Sequence, residues 1–518
     1  MVVRYPGSAT TTRKLGWPRT PDGGRPNRGA VIEQPKGRAK AGTAAKARKA
    51  RGKRKRSDDG FAGRLHAFRR ALTAWLSRPL ASFHLVLALC GLLTVIGAVM
   101  VLSASSVEST VVTNGASAYS LFKKHLLFAV IGVGVFWLCV RIPLRAIRAV
   151  SATVMFVSIG LLLLVLTPLG ATVNGSQGWI VVAGVSLQPV ELAKVALALW
   201  GAHILVVKSR FAHQWRHLLV PLVPVALLMF ALLMAQPDLG GTVSLGVVLI
   251  ALLWFGGAPR QLFTAVIAGG VAAVLGLALV ADYRMARVIS FLSPGSDAAG
   301  AGYQANQALY ALADGGLFGK GLGQGGSKWH YLPNVQHDFI FALIGEELGF
   351  IGCAVVIGLF AAVAIVGLRI ATRNIDPWIR IVSGSLTAWL VSQAAINIGY
   401  VVGLLPVTGV TLPLISYGGT SLVITLGLFG ILANCARHEP AAVAALRTQG
   451  PGKFGRLLRL PAPEPYRPKG RPKAAGRQAA RRGAPPARNA AATRERARTH
   501  RGTRTTNTRT SARRGGNR

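Results

Sequence analysis

Acidic residues are scarce in this chain, with 17 Asp and Glu against 60 Lys and Arg in 518 residues. Cysteine is scarcer still. Cys90, Cys139, Cys353 and Cys435 are the only four, and none forms a CxxC pair. That excludes a disulfide framework and a thiolate zinc site. Charged residues make up 15% of the chain and crowd into its two ends. Residues 1–80 hold 21 basic and 4 acidic side chains, and residues 437–518 hold 22 and 3. The extreme basicity therefore belongs to two tails, which are poor in large apolar residues and are expected to be disordered. They lack interleaved aromatics and any folded reader module, which argues against nucleic acid as a partner. A run such as Lys46–Arg56 suits an anionic membrane surface, each basic residue adding about 1 kcal/mol near the headgroups. Acidic cytoplasmic partners are the alternative.

Between the tails lies what the ends lack. Apolar stretches of about 20 residues, enough to cross roughly 30 Å of hydrocarbon, recur near 82–104, 125–141, 146–167, 189–207, 217–235, 240–256, 261–281, 339–368, 379–404 and 413–435. Backbone polar groups in hydrocarbon must be satisfied within the segment, which requires helices here. The expectation is an all-α polytopic membrane protein with about ten transmembrane helices and a large extracytoplasmic loop, 282–338, between the seventh and eighth. Arg141, Arg145, Arg148, Lys208, Arg210, Arg216, Arg260, Arg369, Arg373 and Arg380 fall in alternate loops, whereas 168–187, 236–239 and 405–412 carry no Lys or Arg. The positive-inside rule then places both tails in the cytoplasm, with Lys123 and Lys124 running against the pattern. The first apolar run starts about 80 residues in, so it reads as an uncleaved anchor. The expected organisation is a basic tail 1–80, a membrane domain 81–436 and a basic tail 437–518.

Charge at membrane depth needs a reason. Asp338 closes the long polar segment and immediately precedes the eighth apolar stretch. It is a candidate general base at a membrane surface, with helix capping as the plainer alternative. Glu191 and Lys194, three apart after Gln188-Pro189, share a helix face. They either neutralise one another or line a cavity in which Lys194 meets a diphosphate. Arg284 and Arg287 follow the seventh stretch. Pro406, Pro413 and the run Ser416-Tyr-Gly418-Gly419-Thr-Ser421 interrupt a helix, which at that depth is tolerated where backbone lines a wet cavity or is buried in protein. Gly321–Gly326 matches GxGxxG but follows no strand, and Gly315–Lys320 looks like a P-loop but is one residue short and lacks the following Ser/Thr. Their glycines are expected to let a loop turn tightly at the membrane surface.

Several of these segments together resemble the SEDS family (shape, elongation, division and sporulation proteins), and its cell-division branch more than its elongation branch. The resemblance rests on Asn174–Trp179, Gln188–Lys194, Gln236–Gly240, Gly315–Gly323, Leu332–Gly349 and Leu405–Ser421, and covers about 82–436. It implies ten transmembrane helices in the bacterial plasma membrane, at the division septum. The implied activity is polymerisation of lipid II, the undecaprenyl-diphosphate-linked disaccharide-pentapeptide, into glycan strands. Asp338 matches the family's catalytic Asp, and Glu191 and Lys194 match its fourth-helix motif. Trp179, Gln188, Arg284, Arg287, Ser416, Gly418 and Gly419 complete the implied substrate-binding set. A class B penicillin-binding protein and divisome proteins are the implied partners. No cofactor is fixed, and a divalent cation (magnesium or manganese) stays open. Two positions depart from the family pattern: Gln177 stands where a basic residue is usual, and Gln336-His337 stand in a changed order before Asp338. A lipid II flippase is the rival reading. It is disfavoured because no internal repeat of the transporter kind is evident.

Overall fold

The computed structural model describes residues 76–466 apart from 113–116, 174–175, 183–184, 212–219 and 281–301, together with scattered positions from 63 to 74. The chain divides into two compact units, and the second, Leu76–Arg518, contains all of the apolar stretches.

Each of the ten apolar stretches contains a helix. In order they are α1 (Ala81–Val112), α2 (Ser120–Arg141), α3 (Leu144–Val165), α4 (Pro189–Val207), α5 (Leu222–Ala235), α6 (Leu239–Phe255) and α7 (Arg260–Val280). The surface helix α8 (Tyr303–Gly315) comes next, then α9 (Ile340–Arg373), α10 (Pro377–Val401) and α11 (Gly419–Arg437). Among the described residues, seven of these are long and apolar enough to cross a membrane: α1–α4 and α9–α11. The α5 and α6 helices are shorter, at 14 and 17 residues.

Burial sorts the helices. Most of α4, α10 and α11 is enclosed, whereas α2 and α3 turn Val130, Ile131 and Phe156 outward. Apolar side chains facing out cost nothing in hydrocarbon, so these belong to a lipid-facing rim. With lipid outside, close helix contact comes from small residues. The α2–α11 contact follows that rule, since a Cβ at Gly430 would lie 2.6 Å from the Phe136 carbonyl oxygen and one at Gly132 would lie 2.4 Å from Leu426 Cδ1.

Three features depart from the sequence reading. The stretch 168–187, expected as a plain loop, folds into a small antiparallel sheet: β1 (Gly170–Val173), β2 (Ser176–Val182) and β3 (Val185–Leu187). Ala171 pairs with Trp179, and Ile180 with Leu187. The segment is too short to cross a bilayer, and pairing satisfies its backbone locally.

The expected disordered tail from 437 is instead structured as far as 466. It holds α12 (Pro440–Thr448) and α13 (Lys453–Leu457), with Ala442, Val443 and Leu446 buried. The stretch after α13 lies back on the bundle. Trp137 Nε1 donates to the Leu458 carbonyl at 3.0 Å, Arg437 donates to Pro461 at 2.6 Å, and Arg145 pairs with Glu464 at 2.6 Å. The expected disorder of 1–62 and 467–518 lies outside the described residues.

Finally, α9 is broken. Gly349 sits at φ 68°, ψ −168°, a conformation essentially restricted to glycine. The break is stitched to the glycine-rich loop after α8. Lys320 N–H donates to Glu346 O at 2.9 Å and Gly321 N–H to Glu347 O at 3.0 Å; Phe350 N–H donates to Gly316 O at 2.9 Å. A Cβ on Gly349 would lie 2.4 Å from Gly319 N, and one on Gly319 would lie 2.2 Å from Glu347 O. Backbone approaches backbone here, which accounts for glycines that superficially resembled phosphate loops.

Gly349→Ala is therefore expected to destabilise by at least about 1–3 kcal/mol from conformation alone, with the backbone overlap adding to it. Gly358, further along α9, has open space at its Cβ. A melting temperature in detergent should fall for Gly349→Ala and hold for Gly358→Ala; equal melting of the two would contradict the break.

Candidate functional site

Asp338 lies just ahead of α9, on the turn Leu332–Asp338. The N-cap residue of α9 is Phe339, and it makes no side-chain capping bond. Asp338 is half-buried, and its main-chain carbonyl is gripped from the end of α10. Asn397 Nδ2 donates to it at 2.9 Å and the Tyr400 hydroxyl at 2.8 Å. The Val410 carbonyl lies within reach of the same two groups, 2.7 Å from Asn397 Nδ2 and 2.8 Å from the Tyr400 oxygen, so the single Tyr400 hydrogen is shared between the two carbonyls, and Asn397 Nδ2 lies 2.6 Å from the Tyr400 oxygen. Both are fully buried. Two buried donor side chains thus tie Asp338 to the non-helical stretch 402–418. Carbonyls buried away from water need such donors, and losing one costs about 1–3 kcal/mol.

The stretch 402–418 closes over the same end of the bundle. Gly409 at φ 72° brings its backbone under Asp338, and a Cβ there would lie 3.7 Å from Asp338 Oδ2. Ser416 is buried and its hydroxyl accepts from Leu412 N–H at 2.8 Å, so its side chain shapes the turn. Gly418 is the N-cap of α11. A Cβ on Gly418 would meet Ser421 Oγ at 2.3 Å, and one on Gly419 would meet the Phe128 ring at 2.8 Å. Tyr417 joins this stretch to the Asp338 turn, its N–H donating to Gln336 O at 2.8 Å. The His337 ring meets Tyr417 edge-on at 5.1 Å, with Nδ1 3.1 Å from the Tyr417 carbonyl. His337 thus faces Tyr417 through the nitrogen that its backbone contact uses.

Burial lowers the pKa of His337, and its contact with the Tyr417 carbonyl opposes that fall. A histidine held neutral when folded binds a proton more readily when unfolded. Stability should therefore fall as pH drops below about 6.5, the ordinary histidine value. His438, whose pKa is also lowered by burial, adds to the same trend. His337→Gln is expected to flatten the dependence of melting temperature on pH between about 7 and 5, relative to the unaltered chain; an unchanged slope would place the titration elsewhere.

Glu191 and Lys194 form an ion pair at 2.7 Å within α4, both buried. The Lys194 ammonium also lies 4.7 Å from the centre of the Trp389 ring. Asp238 is nearby, accepting from Gly241 N–H at 2.7 Å as the N-cap of α6. Burial pushes the Asp238 carboxyl up, while the Gly241 bond and then Lys194 work against that rise. A Cβ on Gly240 would lie 2.7 Å from Thr408 O and 3.2 Å from Val410 Cγ2. The turn at 236–241 thus packs against the stretch that holds Asp338 and lies within electrostatic reach of the α4 pair. Gln188 N–H reaches Thr420 Oγ1 at 3.3 Å, joining α4 to the start of α11. Trp179 sits half-buried on β2. Gln177, where a basic residue was expected, donates to Thr167 O at 3.1 Å and so fixes the sheet to the end of α3. Arg284 and Arg287 lie outside the described residues.

Sequence reasoning missed Asn397 and Tyr400 as partners of Asp338. A spacing of three on one helix face is their signal. Glu346, early in α9, pairs inward with the glycine-rich loop and the turn after it. This carboxylate is buried and accepts from Gly326 N–H at 2.6 Å, from Ser327 N–H at 3.2 Å and from the Ser327 hydroxyl, with Lys320 at 3.7 Å. Glu347, also buried, accepts from Ser103 of α1 at 2.6 Å.

Fold and site together define a polytopic helical membrane protein with an aspartate tied to a non-helical stretch at one end of its bundle. The FtsW/RodA/SpoVE family, described as "Cell cycle protein", matches residues 83–441. The chain belongs to that family. It is 51% identical over 396 residues to the "Probable peptidoglycan glycosyltransferase FtsW" of Mycobacterium tuberculosis, covering 76% of this chain and 75% of that one. It is 40% identical over 350 residues to "Stage V sporulation protein E" of Bacillus subtilis, covering 67% and 95%. A chain from the structure described as "Structural coordination of polymerization and crosslinking by a peptidoglycan synthase complex" aligns at TM-score 0.55 and 25% identity, over 71% of this chain and 99% of that one. The rod shape determining protein RodA of Thermus thermophilus shares the fold at TM-score 0.50 and 24% identity, over 71% and 99%.

Proposed function

We propose that this chain is a peptidoglycan glycosyltransferase that polymerises lipid II into glycan strands during septal wall synthesis. The observation that carries the reading is the anchoring of Asp338. Two buried side chains fix its backbone, it lies ahead of the buried first turns of a broken helix, and its carboxylate borders the 402–418 stretch. A carboxylate held in this way can accept the proton of an acceptor sugar hydroxyl as that oxygen attacks the donor's anomeric carbon. Inversion at that carbon releases undecaprenyl diphosphate. The Lys194 ammonium, joined to this end through the 236–241 turn, balances the diphosphate charge once it parts from Glu191. Arg284 and Arg287 extend that role in the proposal, as Trp179, Gln188, Ser416, Gly418 and Gly419 extend substrate contact.

Magnesium or manganese could neutralise the leaving diphosphate. Among the described residues no three His, Cys, Asp or Glu side chains form a group that could hold a metal ion.

In this proposal both tails are cytoplasmic, the Asp338 end is extracytoplasmic, and a class B penicillin-binding protein and the division machinery are partners. The relatives' names and the synthase-complex neighbour support it. Purified protein in liposomes, given lipid II with its class B partner, is expected to yield glycan strands. Lipid II crossing the bilayer without glycan formation would favour a flippase instead.

A further inference from the structure

The loop between α8 and the π-helical turn Ser327–Tyr331 carries three large apolar side chains that the bundle does not cover. Leu317 is 63% exposed, Phe318 79% and Leu322 54%. Flexible loops would fold such side chains inward; this one cannot. Its backbone is stitched to the break in α9 through Gly316 O, Leu317 O, Lys320 N–H and Gly321 N–H. Gly316, Gly319, Gly321 and Gly323 all hold positive φ.

The position of the break fixes what lies against the loop. From Phe350 to Arg373, α9 runs 24 residues, or about 36 Å at 1.5 Å per residue. That length spans a hydrocarbon core of roughly 30 Å with an interface at each end. Arg369 and Arg373 mark one interface, so Phe350 and Ile351 fall at the other. Both of these are exposed, as are Val355 and Ile357 beyond them. Ile351 N–H donates to Leu317 O at 3.3 Å, which makes Leu317 and Phe318 a direct continuation of the lipid-facing surface of α9. The one ammonium in this stretch, Lys320, is matched by Asp314 at 2.6 Å and Glu346 at 3.7 Å, so the loop approaches the membrane without an unpaired cation.

We propose that residues 316–323 seat in the membrane surface on the Asp338 side, with Leu317, Phe318 and Leu322 at the level of the headgroups and upper acyl chains. The loop then acts as an interfacial anchor. Through its bonds to Glu346 O and Glu347 O it sets the height of the α9 segment that starts beside Asp338. A protein partner covering the same residues is the competing occupant.

The test uses full-length protein in liposomes, without a partner, carrying Phe318→Cys labelled with an environment-sensitive fluorophore. Labelled unaltered protein supplies the background from the four native cysteines. Blue-shifted emission, with loss of intensity when lipids carry a nitroxide near the headgroup end of the acyl chain, is the expected result. Emission as in water with no loss of intensity would overturn the proposal and leave the face to a protein. Leu322→Cys, labelled in the same way, gives a second reading at another exposed position, should Phe318→Cys fold poorly.

Discussion

Asp338→Asn is expected to lower polymerisation of lipid II by about 100-fold or more, the scale set by loss of a general base, while leaving the melting temperature close to that of the unaltered protein. The two readouts separate function from capping. The N-cap of α9 is Phe339, and the Asn397 and Tyr400 bonds reach the Asp338 main-chain carbonyl, which asparagine keeps. A capping role would show as a lower melting temperature with activity falling only in proportion. Asn substitution removes the basic oxygen while preserving size, so a large fall in rate without a fall in stability assigns the carboxylate to chemistry.

The second large effect concerns Asn397. Asn397→Leu deletes the donors that reach Asp338 O and Val410 O, leaving the Tyr400 hydroxyl, with one hydrogen, between two carbonyls. An unsatisfied buried carbonyl costs about 1–3 kcal/mol, so the melting temperature should drop. The larger consequence is positional. A displacement of about 1 Å at a reacting group can cost 100-fold in rate, and this pair fixes both Asp338 and the stretch facing it. We expect kcat for lipid II polymerisation to fall by about 10- to 100-fold with a smaller change in KM. Tyr400→Phe, which leaves Asn397 in place, should fall less. If Asn397→Leu matches the unaltered protein in kcat while melting lower, the pair holds the fold and not the reaction geometry.

Much of this was legible in the chain itself. The apolar stretches read correctly as helical, seven of the helices among the described residues being long and apolar enough to cross a membrane, because hydrocarbon leaves the backbone no other option. Asp338 and the Glu191/Lys194 pair stood out because charge is rare in those surroundings. The break at Gly349 did not stand out, since Gly-Glu-Glu-Leu-Gly-Phe reads as continuous helix; its left-handed φ and the approach of a distant backbone, Leu317–Gly319, make that glycine necessary. The Asn397–Tyr400 grip was hidden for a similar reason. Its acceptors are main-chain carbonyls 59 and 13 residues away from Asn397, and carbonyls carry no sequence signal. Gln177 read as a missing cation but is a structural donor to Thr167. The ordered segment 440–466 was masked by its basic composition, although Val443 and Leu446 give it an apolar face.

The most direct test is a single-turnover experiment with enzyme, partner and lipid II, the enzyme in excess so that all substrate is bound. Asp338→Asn should bind lipid II as tightly as the unaltered protein yet transfer almost no disaccharide in the time the unaltered protein consumes it. Transfer at the unaltered rate by bound Asp338→Asn would contradict the assignment of Asp338 as the base.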